Sequence, residues 1–269
     1  MKIGICHNIF GTDLPAAFAG AAHAGAEGVE VVVQNDLARR LGREELAKQL
    51  NALRRQHKLE IPSLAMVNLC SQPSLIARPE LTEAAVQSAL RGLKTAAAVE
   101  ASVLLLPFFG RNLIETETEF GHATDTIARL SEHAEQAAIT LGIECTLNAS
   151  QQLLLLASAG RSPYVRVYFD IGNTLARKYD VATFIRDLGH DSICQVHFKD
   201  VRIAEGAPPD YEVTLGQGSV DFRAVLHALR AVRYDGYIVL ETPPGPDAPA
   251  TTRANVQFIR DLLAAGGPA

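Results

Sequence analysis

Three short apolar runs end on residues that can bind a divalent cation or move a proton. Val-Tyr-Phe-Asp closes on Asp170, Cys-Gln-Val-His on His197 and Tyr-Ile-Val-Leu-Glu on Glu241. A carboxylate can take a proton from carbon or hold a hard cation, and an imidazole can ligate a metal or exchange a proton near neutral pH. A fourth run, Gly-Ile-Glu-Cys-Thr-Leu-Asn, closes on Asn148, whose amide oxygen can coordinate but carries no charge and is no base. All four runs have β propensity. Strand endings of this kind, repeated along one chain, read as a single site at the carboxyl mouth of a parallel barrel.

The elements needed to position these groups are legible as alternating strand and helix signals. Strands are predicted at Lys2–His7, Gly28–Val33, Leu59–Val67, Val103–Pro107, Gly142–Leu147, Val165–Asp170, Ile193–His197 and Gly236–Glu241. Helical spacing fills the gaps: Leu46, Leu50 and Leu53, then Val86, Leu90 and Leu93, then Phe222, Val225, Leu226 and Leu229, and finally Val256, Ile259 and Leu263. Thr12 and Asp13 before Pro15 mark a helix start, and Gly25, Gly142 and Gly189 are read as lying near helix ends. Eight βα repeats without a linker predict one α/β domain over residues 1–269, a (β/α)8 TIM barrel. An open doubly wound sheet is disfavoured, because no glycine-rich phosphate fingerprint follows the first strand.

Residues two apart on a strand share a face. Asp170 therefore shares its face with Tyr168 and Arg166, Glu241 with Val239 and Tyr237, and Asn148 with Thr146 and Glu144. Asn148, Asp170, His197 and Glu241 are expected to point into the mouth. Glu144 and Arg166 are expected to form a structural ion pair toward the other end. Lys199 shares the face of His197 and could contact a substrate oxygen. His7, at the end of the first strand, and Glu30, inside the second, are placed to line the pocket. Arg202 is read as a loop residue that binds substrate. The loops Asn68–Pro79 and Phe108–Phe120 are expected to shape specificity, with Phe108 and Phe109 packing on a substrate or on the barrel rim. The same residues have plainer readings: Asp170 as a turn cap, His197 as a core histidine, Glu241 as a solvated strand end. It is their alignment that favours function.

The chain has 269 residues, 48% of them hydrophobic and 20% charged, which is ordinary for a globular enzyme, and a net charge of −5 that offers nothing to nucleic acid. Cys6, Cys70, Cys145 and Cys194 are scattered, so reduced thiols are expected rather than disulfides or a zinc knuckle. The opening Met-Lys-Ile-Gly-Ile-Cys has neither a secretory leader nor a membrane span, which leaves the cytoplasm as the default expectation.

Phe-Asp-Ile-Gly-Asn (169–173), Val-His-Phe-Lys-Asp (196–200), Leu-Gly-Gln-Gly-Ser-Val-Asp-Phe (215–222) and Gly-Tyr-Ile-Val-Leu-Glu (236–241), in this order, resemble the xylose-isomerase-like sugar phosphate isomerases and epimerases. The resemblance spans essentially the whole chain. It implies a xylose-isomerase-like TIM barrel holding one divalent ion through Glu, Asp, His and Glu on the last four strands, with the glutamates often serving as acid and base. Asp170, His197 and Glu241 match three of those ligands. Asn148 stands where the first glutamate is expected. Asn173, inside the Asp-Ile-Gly-Asn motif, is implied as a substrate contact.

The chemistry expected is isomerisation or epimerisation of a small sugar or related polyol or keto compound. Glu241 and Lys199 are the candidate catalytic groups, and the partner is a carbohydrate-like small molecule rather than nucleic acid or membrane. Oxygen-rich ligands with one imidazole favour Mn²⁺, Mg²⁺ or Co²⁺ ahead of Zn²⁺. A lyase using one base on the same barrel, and a non-catalytic barrel binding a metal or small molecule, are the alternatives. An endonuclease is disfavoured by the charge and by too few strand-end histidines. Self-association is left open.

Overall fold

The computed structural model describes residues 1–71 and 74–265. Its strands are β1 (Lys2–Cys6), β2 (Gly28–Val32), β3 (Ser63–Ala65), β4 (Val103–Phe108), β5 (Thr140–Cys145), β6 (Val165–Asp170), β7 (Ile193–Phe198) and β8 (Tyr237–Leu240). They follow one another in chain order around a closed parallel barrel. The helices between and after them are α1 (Leu14–Ala24), α2 (Asn35–Arg40), α3 (Glu44–His57), α4 (Pro79–Ala98), α5 (Glu117–Ala137), α6 (Ala149–Ser158), α7 (Ile171–Ala176), α8 (Val181–Leu188), α9 (Phe222–Ala231) and α10 (Ala248–Ala265). The fold is the (β/α)8 barrel expected from the alternation of strand and helix signals.

Packing divides the chain into two compact units. One comprises Met1–Glu30, His57–Glu60 and the chain from Phe169 onward; the other comprises Val31–Gln56 and Ile61–Tyr168. In the first, β1 lies between β2 and β8, with Cys6 opposite Glu30 and Ile5 opposite Leu240, while His197 of β7 faces Val239. Residues in register on parallel strands share a face, so these pairings fix which side chains meet at the strand ends. Behind the strands, Phe198 packs on Phe222 and Phe222 on Phe258, with ring centroids 5.8 and 5.5 Å apart. Asp13 caps α1 by accepting the Ala16 N–H, with Pro15 in the first turn and Gly25 in the left-handed conformation at its end.

In the second unit, β4 and β5 pair along their whole length, from Val103–Thr140 to Phe108–Cys145. Here three expectations change. Helix α5 ends through Ala138 at φ 53°, so Gly142 is no helix cap but sits within β5. The strand consequently starts and ends about two residues earlier than its apolar pattern suggested. β3 is cut to Ser63–Ala65, since Pro62 has no N–H to give a ladder. The Glu144–Arg166 pair does not form: Arg166 donates from Nε to the Pro163 carbonyl (3.1 Å), and its in-register partner on β5 is Gly142.

Of the expected Asn68–Pro79 specificity loop, residues 72 and 73 lie outside the described residues. Leu75 and Ile76 turn inward and are buried, and Asn112 anchors this stretch by accepting the Leu75 N–H (2.8 Å) and donating to the Leu69 and Pro107 carbonyls. All four cysteines are free thiols. Among the described residues no helix is long and apolar enough to cross a membrane.

Candidate active site

The last two residues of β6, the ends of β7 and β8 and the loop after β7 build one polar cluster inside the first unit. Asp170 does two things with its two oxygens. Oδ1 accepts the Asn173 N–H (2.7 Å) and caps α7, while Oδ2 faces Lys199 and His197. The turn-cap reading of this residue therefore holds for one oxygen and leaves the other for chemistry. Gly172, next in the Asp-Ile-Gly-Asn motif, is required by close approach: a Cβ there would come within 2.6 Å of Lys199 Cγ.

His197 presents its two ring nitrogens to different partners. Nε2 is 2.9 Å from Glu30 Oε1, and Nδ1 is 3.8 Å from Asp170 Oδ2 and 3.6 Å from Glu241 Oε2. The Lys199 ammonium lies between the two carboxylates, 2.8 Å from Asp170 Oδ2 and 2.7 Å from Glu241 Oε2. Despite that proximity Asp170 Oδ2, fully buried, accepts no well-aligned hydrogen bond. Glu241 follows β8 directly, with its N–H donating to the Phe198 carbonyl (3.0 Å), and its side chain is 37% exposed.

The electrostatics separate the two acids. Burial opposes ionisation of Glu241, but Lys199 and then His197 outweigh it and hold the carboxyl at about 2. Burial, reinforced by the charge of Glu241, raises Asp170 above the ordinary aspartate range in spite of Lys199. Burial also disfavours a charged His197, yet Glu30 and Glu241 more than compensate and raise its proton affinity.

A cavity of about 270 Å³ opens on this cluster, lined by Asn8, Asn173, Lys199, Tyr211, Glu212 and Glu241 among others. Its outer wall is the loop from Val201 to Asp221, which a single buried carboxylate organises. Asp200 accepts the N–H groups of Val201 (2.8 Å), Gly216 (2.9 Å), Gly218 (2.8 Å) and Val220 (3.1 Å). A Cβ at Gly218 would lie 2.2 Å from Asp200 Oδ1, so Leu-Gly-Gln-Gly-Ser-Val-Asp is the sequence that lets the backbone close onto Asp200. The closed loop brings the Tyr211 ring 5.5 Å from the Lys199 ammonium.

The structure thus gathers Asp170, His197, Lys199, Glu241 and Asn173 at one place. His7 belongs to the same unit but is buried, and burial depresses it to about 4 against the pull of Glu30, so it is a neutral group behind the surface. Tyr211, Glu212 and Asn8 line the cavity without having been singled out from sequence. Tyr211 and Glu212 are delivered by the closed loop, and Asn8 by the short helical turn His7–Phe10 after β1.

Three expected site residues are placed otherwise. Arg202 points outward, 55% exposed, in an ion pair with Asp210 (3.1 Å) across a two-residue bridge, so it braces the loop instead of entering the cavity. Phe108 ends β4 and is 0% exposed, a core side chain unable to meet a substrate. Asn148 is not a strand residue at all. It is the N-cap of α6, where Oδ1 accepts the Gln151 N–H (2.9 Å) and the Ser150 hydroxyl (2.8 Å) while Gln151 returns a bond to the Asn148 N–H. The acidic residue near the carboxyl end of β5 is Glu144, which is buried. Asn148→Ala is expected to cost about 1 kcal/mol, the usual loss of an N-cap, and to leave divalent-cation affinity unchanged. Thermal unfolding and a Mn²⁺ titration check the two halves of that statement.

Comparison with known proteins agrees with the fold. An Escherichia coli (strain K12) protein named "Putative L-ribulose-5-phosphate 3-epimerase SgbU" is 35% identical over 82 residues, a stretch covering 30% of this chain and 28% of that protein. The matched part is thus under a third of that relative's length. A crystal structure of a D-tagatose 3-epimerase-like protein superposes with a TM-score of 0.80 at 19% identity, covering 98% of both chains. The IolI protein, solved with a bound zinc atom, superposes with a TM-score of 0.78 at 14% identity over 98% of this chain and 99% of its own. At these identities the structural likeness is one of fold. The family model described as a xylose isomerase-like TIM barrel matches residues 18–262, and the chain belongs to that family.

Proposed function

We propose that this protein is an isomerase or epimerase of a small carbohydrate-like substrate, working with a divalent cation held by Asp170, His197 and Glu241. The observation that carries the reading is the approach of His197 Nδ1 to both Asp170 Oδ2 (3.8 Å) and Glu241 Oε2 (3.6 Å), with Glu241 lining a polar cavity. Two carboxylate oxygens and one imidazole nitrogen suit Mn²⁺, Mg²⁺, Co²⁺ or Zn²⁺. The Lys199 ammonium lies between the two carboxylates, which shows that their oxygens share one cationic partner.

When bound, the cation would supply Lewis acidity to the substrate's carbonyl and neighbouring hydroxyl oxygens. The chain's own part is distinct. Glu241, ionised and facing the cavity, takes the proton from the carbon beside the carbonyl and, as the carboxylic acid, gives it back to the adjacent carbon, which completes an isomerisation; an epimerisation takes its returning proton from solvent on the opposite face. Asp170 and His197 keep their positions because one is anchored by the α7 cap and the other by Glu30. Lys199, in the cavity wall, would donate from its ammonium to a substrate oxygen. Asn8, Asn173 and Glu212 offer hydrogen bonds to hydroxyl groups, and Tyr211 narrows the mouth. The epimerase names among similar proteins support the same reaction class.

The test joins binding to chemistry. Mn²⁺ calorimetry is expected to give about one ion per chain, lost in His197→Ala. A panel of ketoses and their phosphates in D₂O is expected to yield an epimer or isomer carrying deuterium at the carbon that lost its proton. A dehydrated product would replace this reading with a lyase, and absence of ion uptake at millimolar Mn²⁺ would overturn the metal-assisted mechanism.

A further inference from the structure

Glu30 has no role in the chemistry above and no access to substrate: it is 0% exposed, on β2, beneath the cluster. Its Oε1 is nevertheless the meeting point of two groups. His197 Nε2 lies 2.9 Å away and the Cys6 thiol 3.3 Å away, the latter brought opposite by the β1–β2 register. The Cys6 thiol donates its hydrogen to Oε1. Oε1 accepts the thiol hydrogen, and the geometry makes it the acceptor for His197 as well, with Nε2 carrying the hydrogen.

That assignment has a consequence at the far side of the ring. With hydrogen on Nε2 and the ring plane held by Glu30, the nitrogen aimed between Asp170 and Glu241 is Nδ1. A free imidazole interchanges its tautomers and flips. In three of those four arrangements it presents an N–H, or a carbon, to the cation. We propose that Glu30 is a positioning residue: by accepting the Nε2 hydrogen it fixes the tautomer and orientation of His197 and commits Nδ1 to the cation. This inference rests on the metal-site reading above. Partners of this kind on metal-bound histidines are typically worth roughly 10–100-fold in metal affinity.

Cys6, Glu30 and His197 also have ligand atoms within 4.8 Å of one another and so could be read as a second cation site. The 2.9 Å contact between Nε2 and Oε1 is a hydrogen-bonding distance, and the proposal takes it as a hydrogen bond, with the ion count of the titration below separating the two readings.

The experiment compares wild type, Glu30→Gln and Glu30→Met, each checked for folding by circular dichroism and melting, in Mn²⁺ titrations followed by calorimetry. Glu30→Gln keeps an acceptor oxygen and is expected to hold Kd within about threefold, whereas Glu30→Met is expected to weaken it roughly 10–100-fold. Long-range ¹H–¹⁵N spectra of the diamagnetic Zn²⁺-loaded wild type should show His197 protonated at Nε2 and ligated through Nδ1. That measurement decides even where Glu30→Met does not fold. Ligation through Nε2, a folded Glu30→Met with Kd within twofold of wild type, or a stoichiometry of two ions with Cys6 involved would each overturn the proposal. If wild type takes up no Mn²⁺ or Zn²⁺, it is the underlying metal-site reading that fails instead.

Discussion

Glu241→Gln is expected to lower turnover at saturating metal by roughly 10²–10⁴, the range associated with losing a general base. Two carboxylates meet in the cluster, and the structure makes them unequal. Asp170 is deeply buried, has one oxygen committed to the α7 cap and holds its proton more tightly than usual. Glu241 lines the cavity, and Lys199 with His197 keeps it ionised down to about pH 2. Of these two, Glu241 is the one that is charged and lines the cavity. The amide of Gln keeps an oxygen for coordination but cannot take the proton, and the lost charge will also weaken ion binding, so the rate has to be compared at saturation. Loss of deuterium incorporation from D₂O, with Mn²⁺ still bound, is the expected result. A near-normal rate would show that another group removes the proton.

Lys199→Met is expected to have two effects of opposite sign. In the metal-free protein the Lys199 ammonium is the counter-charge for Asp170 and Glu241. Breaking a buried pair by removing one partner costs about 3–5 kcal/mol, and the lower end is expected because Asp170 can relieve the strain by binding a proton. Thermal melting of the apoprotein should show this loss. The metal titration should move the other way. An ammonium within 2.8 Å of both carboxylates competes for the same charge, and removing it is expected to tighten Mn²⁺ binding about tenfold or more, equivalent to roughly 1.4 kcal/mol. Turnover should still fall, since the substrate loses a cationic contact. Equal or weaker ion affinity in a folded Lys199→Met would show that the lysine assists the ion and does not compete with it.

The barrel was legible because its signals are local. A strand of four to six apolar residues ending on Asp, His or Glu, followed by a capped amphipathic helix, needs no distant information, and β6 was bounded correctly from Val165 to Asp170. That Asp170, His197, Lys199 and Glu241 lie together was legible for the same reason, since alternation along a strand dictates which residues share a face. Asn148 was misplaced through that same rule. The apolar run Gly-Ile-Glu-Cys-Thr-Leu continues past the strand, and nothing in it says that α5 ends in a left-handed Ala138 and starts β5 two residues early. Once the strand stops at Cys145, an Asn followed three residues later by Gln is a helix start, and the capping bonds claim its side chain.

The sequence by itself therefore determined the barrel, the order of its strands and the residue types at the ends of β6, β7 and β8, because these follow from period and propensity. Only the tertiary structure decided which atoms do what. One oxygen of Asp170 is spent on a cap and the other is not. One nitrogen of His197 is turned to Glu30 and the other to the carboxylates. Asp200 draws in four backbone N–H groups and so delivers Tyr211, while Arg202 is turned away to Asp210 and Phe108 is sealed in the core. Each of these depends on a partner far away in the chain, and sequence spacing carries no record of the direction in which a side chain finds its partner.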